Sequence, residues 1–279
     1  MNRLGLLLLP LLIGACTMEV RESDLIRPVG GGALTAGAVA AAAPAYSLAE
    51  HRIPSVDGAR LYAVHLRQPG ARGTILYFGG NGYTVGRFGA WSAGVFAPLG
   101  VDLMIVDHRG YGLSEGRPGI AAMEADALAA FDYLRGLGGS GARIIVHGHS
   151  MGSFLGGHVA AHRPAAGVVL ESSATTTEQW VSAATPGAAK VFIRKAQIDP
   201  SLRGRGNLAN MPLIDEPLLL LVGAKDGTTP PRLSQGLFAA SPLPEGRKTL
   251  KTVTGAGHSD VMTRAEAIAA YRAFLDRLD

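Results

Sequence analysis

The chain has 279 residues, 47% of them hydrophobic and 17% charged, a balance that excludes a disordered protein and allows one large domain with a sizeable core. Its formal charge is +4, but Lys and Arg are scattered; Arg203-Gly204-Arg205 is the nearest approach to a basic patch and has no interleaved aromatics, so no nucleic-acid partner is expected. A single cysteine, Cys16, excludes an internal disulfide and leaves any catalysis to another nucleophile.

In chain order, Asn2-Arg3 gives a short positive start, 4–13 is apolar, and Gly14-Ala15 places small residues before Cys16. Ten apolar residues are too few for a permanent membrane span. Ile13-Gly14-Ala15-Cys16 resembles the bacterial lipobox. That resemblance implies a lipoprotein signal over 1–15, cleavage before Cys16, acylation of Cys16, and a lipid-anchored mature protein in a bacterial envelope. Thr17, where an inner-membrane retention signal would have Asp, points to the periplasmic face of the outer membrane in a Gram-negative host. An ordinary secretory signal with an incidental cysteine is the alternative. Residues 16–52, with Gly30-Gly31-Gly32 and an alanine run at 40–43, show no durable periodicity and read as a flexible tether.

From Ile53 the character changes. Asp57-Gly58 is a turn signal between two apolar runs and predicts antiparallel strands. Strands are then predicted over 74–78, 101–106, 143–147, 167–170, 217–222 and 250–253, and helices over 119–137, 151–162, 232–239 and 263–278. Short apolar strands alternating with helices predict an α/β domain over 53–279, its mostly parallel sheet covered on both faces. Residues 173–213 interrupt the alternation and predict a cap-like insertion of one or two short helices over the site.

The apolar run Arg143-Ile144-Ile145-Val146-His147 leads into Gly148-His149-Ser150-Met151-Gly152, a G-x-S-x-G between strand and helix. A serine hydroxyl is a weak nucleophile unless a sharp strand-to-helix turn exposes it and a base takes its proton. Asp226 follows the apolar run 217–222, and His258 follows the strand and glycine turn at 250–257. Both therefore sit at carboxyl ends of predicted strands, where ligands bind in open α/β sheets. Asp107 and Glu171 are alternative acids. His147 and His149 read as packing or supporting groups, and His108 as a surface-loop or pocket residue. His158 and His162, four apart on a helix, lack an evident third metal ligand. Among the aromatics, Tyr83, Phe88, Trp91, Trp180 and Phe192 are candidates for an acyl pocket or for core.

Taken together, the stretch from Asp107-His108-Arg109-Gly110 to Gly116, Gly-His-Ser-Met-Gly, the Gly-x-x-Asp-x-x-x-Pro around Asp226 and the Gly-x-Gly-His ending at His258 resemble the α/β-hydrolase superfamily. The likeness is to its serine aminopeptidase S33-like and BEM46-like branches. The resemblance implies Ser150 as nucleophile, His258 as base and Asp226 as the group orienting it. It implies an oxyanion hole from the backbone N–H groups of Met151 and Asn81, with Gly79 standing where many relatives have a loop-bracing His. No metal or cofactor is called for. The expected reaction is hydrolysis of small or medium acyl esters or thioesters. A peptidase or amidase, with Glu171 or Asp199 recognising the amine, and a non-catalytic envelope scaffold are the alternatives.

Overall fold

The computed structural model describes residues 16–138, 143–185 and 193–278. The leader and Phe192 lie outside them. Eight strands form the central sheet: β2 (Ser47–Pro54), β3 (Arg60–Arg67), β4 (Thr74–Phe78), β5 (Asp102–Val106), β6 (Ile144–His149), β7 (Gly167–Glu171), β9 (Leu218–Gly223) and β10 (Lys248–Val253). Their order across the sheet is β10-β9-β7-β6-β4-β5-β3-β2. The hairpin β2–β3 is antiparallel, as the Asp57-Gly58 turn requires, and β3 runs antiparallel to β5; the strands from β5 to β10 are parallel neighbours. This is the α/β-hydrolase architecture.

Alternation along each buried strand feeds two cores. Ile75, Tyr77, Leu103 and Ile105 pack toward α2 (Ala36–Ala42), α3 (Val85–Phe96) and α8 (Ala265–Asp276). Leu76, Phe78, Met104 and Val146 pack toward α4 (Ile120–Gly136) and α5 (Met151–His162). A further helix, α7 (Pro231–Ala240), covers β9 and β10.

The structure corrects the tether. Leu34, Val39, Ala43 and Tyr46 are buried in the core beneath α3, and the Tyr46 hydroxyl donates to Val101 O at 2.7 Å. β2 begins at Ser47, inside the expected tether. The Gly30–Gly32 run is docked: a side chain at Gly31 would collide with Thr84. The few apolar residues are spaced without a helical or strand period, yet each finds a core partner.

Among its described residues the insertion holds a short helix, α6 (Thr177–Ala184), as expected, and also a strand that was not foreseen, β8 (Ile193–Ile198), which pairs in parallel with β1 (Cys16–Val20). Among the described residues, no helix is long and apolar enough to cross a membrane.

Candidate active site

β6 ends at His149, and the chain turns straight into α5. Ser150 takes φ 52° and ψ −120°, a conformation that L residues rarely adopt. Such a backbone costs about 1–3 kcal/mol and persists only when its surroundings enforce it. Here Ser150 N donates to Glu171 O at 2.9 Å, while Ser150 O accepts from Ser153 N at 2.9 Å and Ser153 Oγ at 2.6 Å. The motif glycines are sterically required: a Cβ on Gly148 would strike the backbone of Gly152, and one on Gly152 the backbone of Phe78.

His258 Nε2 lies 2.8 Å from Ser150 Oγ, and His258 Nδ1 lies 2.9 Å from Asp226 Oδ2. The three residues nominated from sequence thus form one hydrogen-bonded chain across the carboxyl ends of β6, β9 and β10. A carboxylate only accepts, so Nδ1 carries the ring proton and Nε2 presents a lone pair to the serine hydroxyl. The Asp226 side chain is fully buried, and that of His258 is 20% exposed, open to a reactant. Burial alone would raise the Asp226 carboxyl, but hydrogen bonds from His258 and Thr229 hold it below its ordinary value.

Of the further supports, Thr228, Thr229 and Ser172 were not singled out in the sequence, whereas His149 was read there as a packing or supporting group. Asp226 Oδ1 accepts from the backbone N–H groups of Thr228 at 2.9 Å and Thr229 at 2.8 Å, and Thr229 Oγ1 lies 2.8 Å from Asp226 Oδ2. The readable signal was an Asp followed by two threonines, a pattern that favours side chain-to-backbone capping. His149 Nε2 lies 2.9 Å from His258 O and Ser172 Oγ 3.2 Å from it, so two donors hold the His258 loop. A carbonyl oxygen only accepts, so His149 Nε2 carries a proton toward His258 O; burial lowers the His149 pKa.

Asp107 and Glu171 stand apart from His258. Asp107 accepts from Val85 N at 2.6 Å and Leu113 N at 3.0 Å, tying its own loop to the start of α3. Arg109 pairs instead with Asp126 at 2.7 Å and Asp57 at 2.6 Å. Glu171 is buried against His147 at 3.1 Å. Burial would raise its carboxyl, yet His149 and His147 hold it below the ordinary value.

Asn81 and Ser150 line the same cleft, and Gly80 packs against the Ser150 side chain. The Asn81 side chain points elsewhere: Nδ2 donates to Leu25 O at 2.7 Å, and Oδ1 accepts from Tyr111 Oη at 2.7 Å. Gly79, where the resemblance leads one to expect a bracing His, leaves its side-chain space to the Tyr83 ring. The brace comes from His108, whose Nε2 lies 2.7 Å from Gly79 O. His108 is buried, not the surface residue that its loop suggested.

The cleft beside Ser150 is mostly apolar, with walls from Ile120, Met123, Phe154, Leu155 and Trp180. Tyr83 is buried and bonded to Ser92 Oγ at 2.7 Å, while Phe88 and Trp91 are exposed on α3; of the described aromatic candidates, Trp180 reaches the cleft. Glu124 is the carboxylate in the described lining, and Arg205 neutralises it at 2.6 Å. Asp199 caps a short turn through Ser201 N at 2.9 Å. A wider groove, lined by His51, His65 and Arg67, opens at the amino ends of the strands, away from Ser150. The His158 and His162 rings lie tilted with centroids 4.3 Å apart, and no three potential metal ligands cluster among the described residues.

The profile of the serine aminopeptidase S33 family matches residues 69–215, over half of the chain. An uncharacterized protein of Mycobacterium tuberculosis is 32% identical over 165 residues, 58% of this chain and 54% of that protein. The alpha/beta hydrolase domain-containing protein aho-3 of Caenorhabditis elegans is 28% identical over 209 residues, 75% of this chain and 59% of that protein. The matches thus span little more than half the length of these relatives. The Pyrococcus furiosus esterase Pf2001 superposes with a TM-score of 0.71 at 18% identity, covering 90% of this chain and 98% of that one, a likeness of fold. With the sheet order, the serine turn and the profile match in agreement, the chain belongs to the serine aminopeptidase S33 family of α/β hydrolases.

Proposed function

We propose that this hydrolase cleaves carboxylic esters or thioesters through an acyl-enzyme on Ser150. The observation that carries the reading is the Ser150–His258–Asp226 chain, 2.8 and 2.9 Å in its two links, at the edge of an apolar cleft. In this mechanism Ser150 Oγ attacks the acyl carbonyl while His258 Nε2 takes its proton. His258 then returns that proton to the leaving alcohol or thiol. Asp226 holds Nδ1–H and stabilises the imidazolium. The oxyanion is assigned to the backbone N–H groups of Met151, at the first turn of α5, and Asn81. Water then repeats the sequence to release the acid. An aminopeptidase needs a free carboxylate for the substrate amine. Glu124, paired with Arg205, does not supply one, which favours an esterase over an aminopeptidase.

The test is labelling by a fluorophosphonate probe together with hydrolysis of p-nitrophenyl esters. Both should vanish in Ser150→Ala; turnover equal to wild type in that variant would sink the reading. Lipid anchoring at Cys16 is part of the same proposal. In a bacterial host that processes lipoproteins, wild-type chain should partition into detergent and Cys16→Ser should stay in the aqueous phase; equal partitioning rejects the anchor.

A further inference from the structure

Residues 20–29 lie outside the S33 match, yet they are tied to the active-site wall at several points. Asp199 N donates to Val20 O at 2.9 Å, continuing the pairing of β1 with β8 in the insertion. The Glu22 carboxylate accepts from Ile120 N at the start of α4 and lies 3.3 Å from Ser201 Oγ. Asn81 clasps the segment from the oxyanion loop, donating to Leu25 O at 2.7 Å and accepting from Arg27 N at 3.0 Å. Gly112 N donates to Val29 O at 2.8 Å. Between these ties, Leu25 and Ile26 line the cleft that holds Ser150, together with Ile120, Met123 and Trp180. Ile26 is buried in the same apolar cluster as Met123 and Leu155.

We infer that residues 20–29 form a fixed strap whose Leu25 and Ile26 are specificity determinants, closing the acyl side of the cleft and favouring medium-chain over two-carbon acyl groups. The inference rests on the serine esterase reading. Its physical basis is the continuity of the apolar wall. An acyl group bonded to Ser150 extends along side chains from α4, α5, α6 and the strap, and each methylene buried there raises kcat/KM about fourfold. Because the strap is held by backbone hydrogen bonds to three separate elements, Leu25 cannot retreat without breaking them. A larger side chain at 25 therefore takes up substrate space.

The experiment compares the full chain with Leu25→Phe and Leu25→Trp, using kcat/KM for p-nitrophenyl acetate and octanoate. The octanoate-to-acetate ratio should fall about tenfold or more in Leu25→Trp, as roughly two methylenes are excluded, and by less in Leu25→Phe. Thermal unfolding shows which variants are folded, and Leu25→Phe decides if the Trp variant is not. Octanoate is also titrated calorimetrically into Ser150→Ala with and without Leu25→Phe, a readout independent of turnover; weaker octanoate binding is expected in the double variant. An unchanged ratio in a folded variant overturns the strap assignment. If the wild type hydrolyses no ester, the serine reading has failed, and the octanoate titration alone decides the strap, unchanged binding overturning it.

Discussion

Replacing Asp226 by Asn tests how His258 is oriented with almost no change of shape. Oδ1 accepts from Thr228 N at 2.9 Å and Thr229 N at 2.8 Å, while Oδ2 faces His258 Nδ1 at 2.9 Å. Backbone N–H groups can only donate, so the Asn oxygen must take the Oδ1 position and its NH2 the Oδ2 position. That NH2 confronts Nδ1 as a donor and selects the tautomer with Nδ1 unprotonated. The ring proton then sits on Nε2, 2.8 Å from Ser150 Oγ, where a lone pair is required. The expected loss is on the order of 10⁴ in kcat, about 5.4 kcal/mol of barrier. KM should change little, because Asp226 does not line the cleft. The assay is steady-state hydrolysis of p-nitrophenyl butyrate, with thermal unfolding measured on the same sample. A folded Asp226→Asn chain with kcat within about tenfold of wild type would refute the tautomer argument.

Two further outcomes follow from buried groups near the site. His108→Ala removes the hydrogen bond to Gly79 O and frees the oxyanion loop; kcat should fall about tenfold to a hundredfold, and His108→Gln, which restores a donor, should recover part of it in the same ester assay. Burial raises the Asp107 pKa to about 6, so the folded chain holds that proton more tightly than the unfolded chain does. Stability should therefore fall by up to about 3 kcal/mol as pH rises from about 4 to about 6. Asp107→Asn lacks that slope; urea unfolding of both chains across this range should show the difference between them shifting toward the variant, beyond the pH-independent cost of the lost acceptor.

What the sequence made legible has a common physical origin. Ser150, Asp226 and His258 each follow an apolar strand and sit in a glycine-marked turn, so local pattern alone places them at one sheet edge. Thr229, Ser172 and His149 act across strands, and no local pattern reports which carbonyl a hydroxyl or imidazole will meet two strands away. His108 was misplaced for a related reason. Its partner, Gly79 O, is brought alongside only by the pairing of β4 with β5. The amino-terminal segment was illegible because Ile26, Val29, Leu34 and Val39 follow no helical or strand period; they are spaced to reach separate pockets of a body built from the rest of the chain. Glycine and alanine there read as flexibility, whereas Gly31 serves a close approach to Thr84.

A strand that contributes no residue of the proposed triad is bonded to the loops of all three. β7 lies between β6, which carries Ser150, and β9, which carries Asp226. Its carboxyl end bonds to the loops of all three triad residues. Glu171 O accepts from Ser150 N at 2.9 Å, Ser172 O accepts from Thr229 Oγ1 at 2.9 Å, and Ser172 Oγ lies 3.2 Å from His258 O. Ser172 takes φ 49°, so two adjacent strand ends, β6 and β7, each hold a non-glycine residue in left-handed backbone space. A strain of that kind survives only where several bonds enforce it, and those bonds are the ones that fix the Ser150–His258 separation. Displacement of a reacting group by about 1 Å can cost a hundredfold in rate. The Ser172 turn makes no contact with the reacting atoms of the proposed mechanism, yet its hydrogen bonds reach the loops of Asp226 and His258, and a shift of that turn would carry to the proposed site.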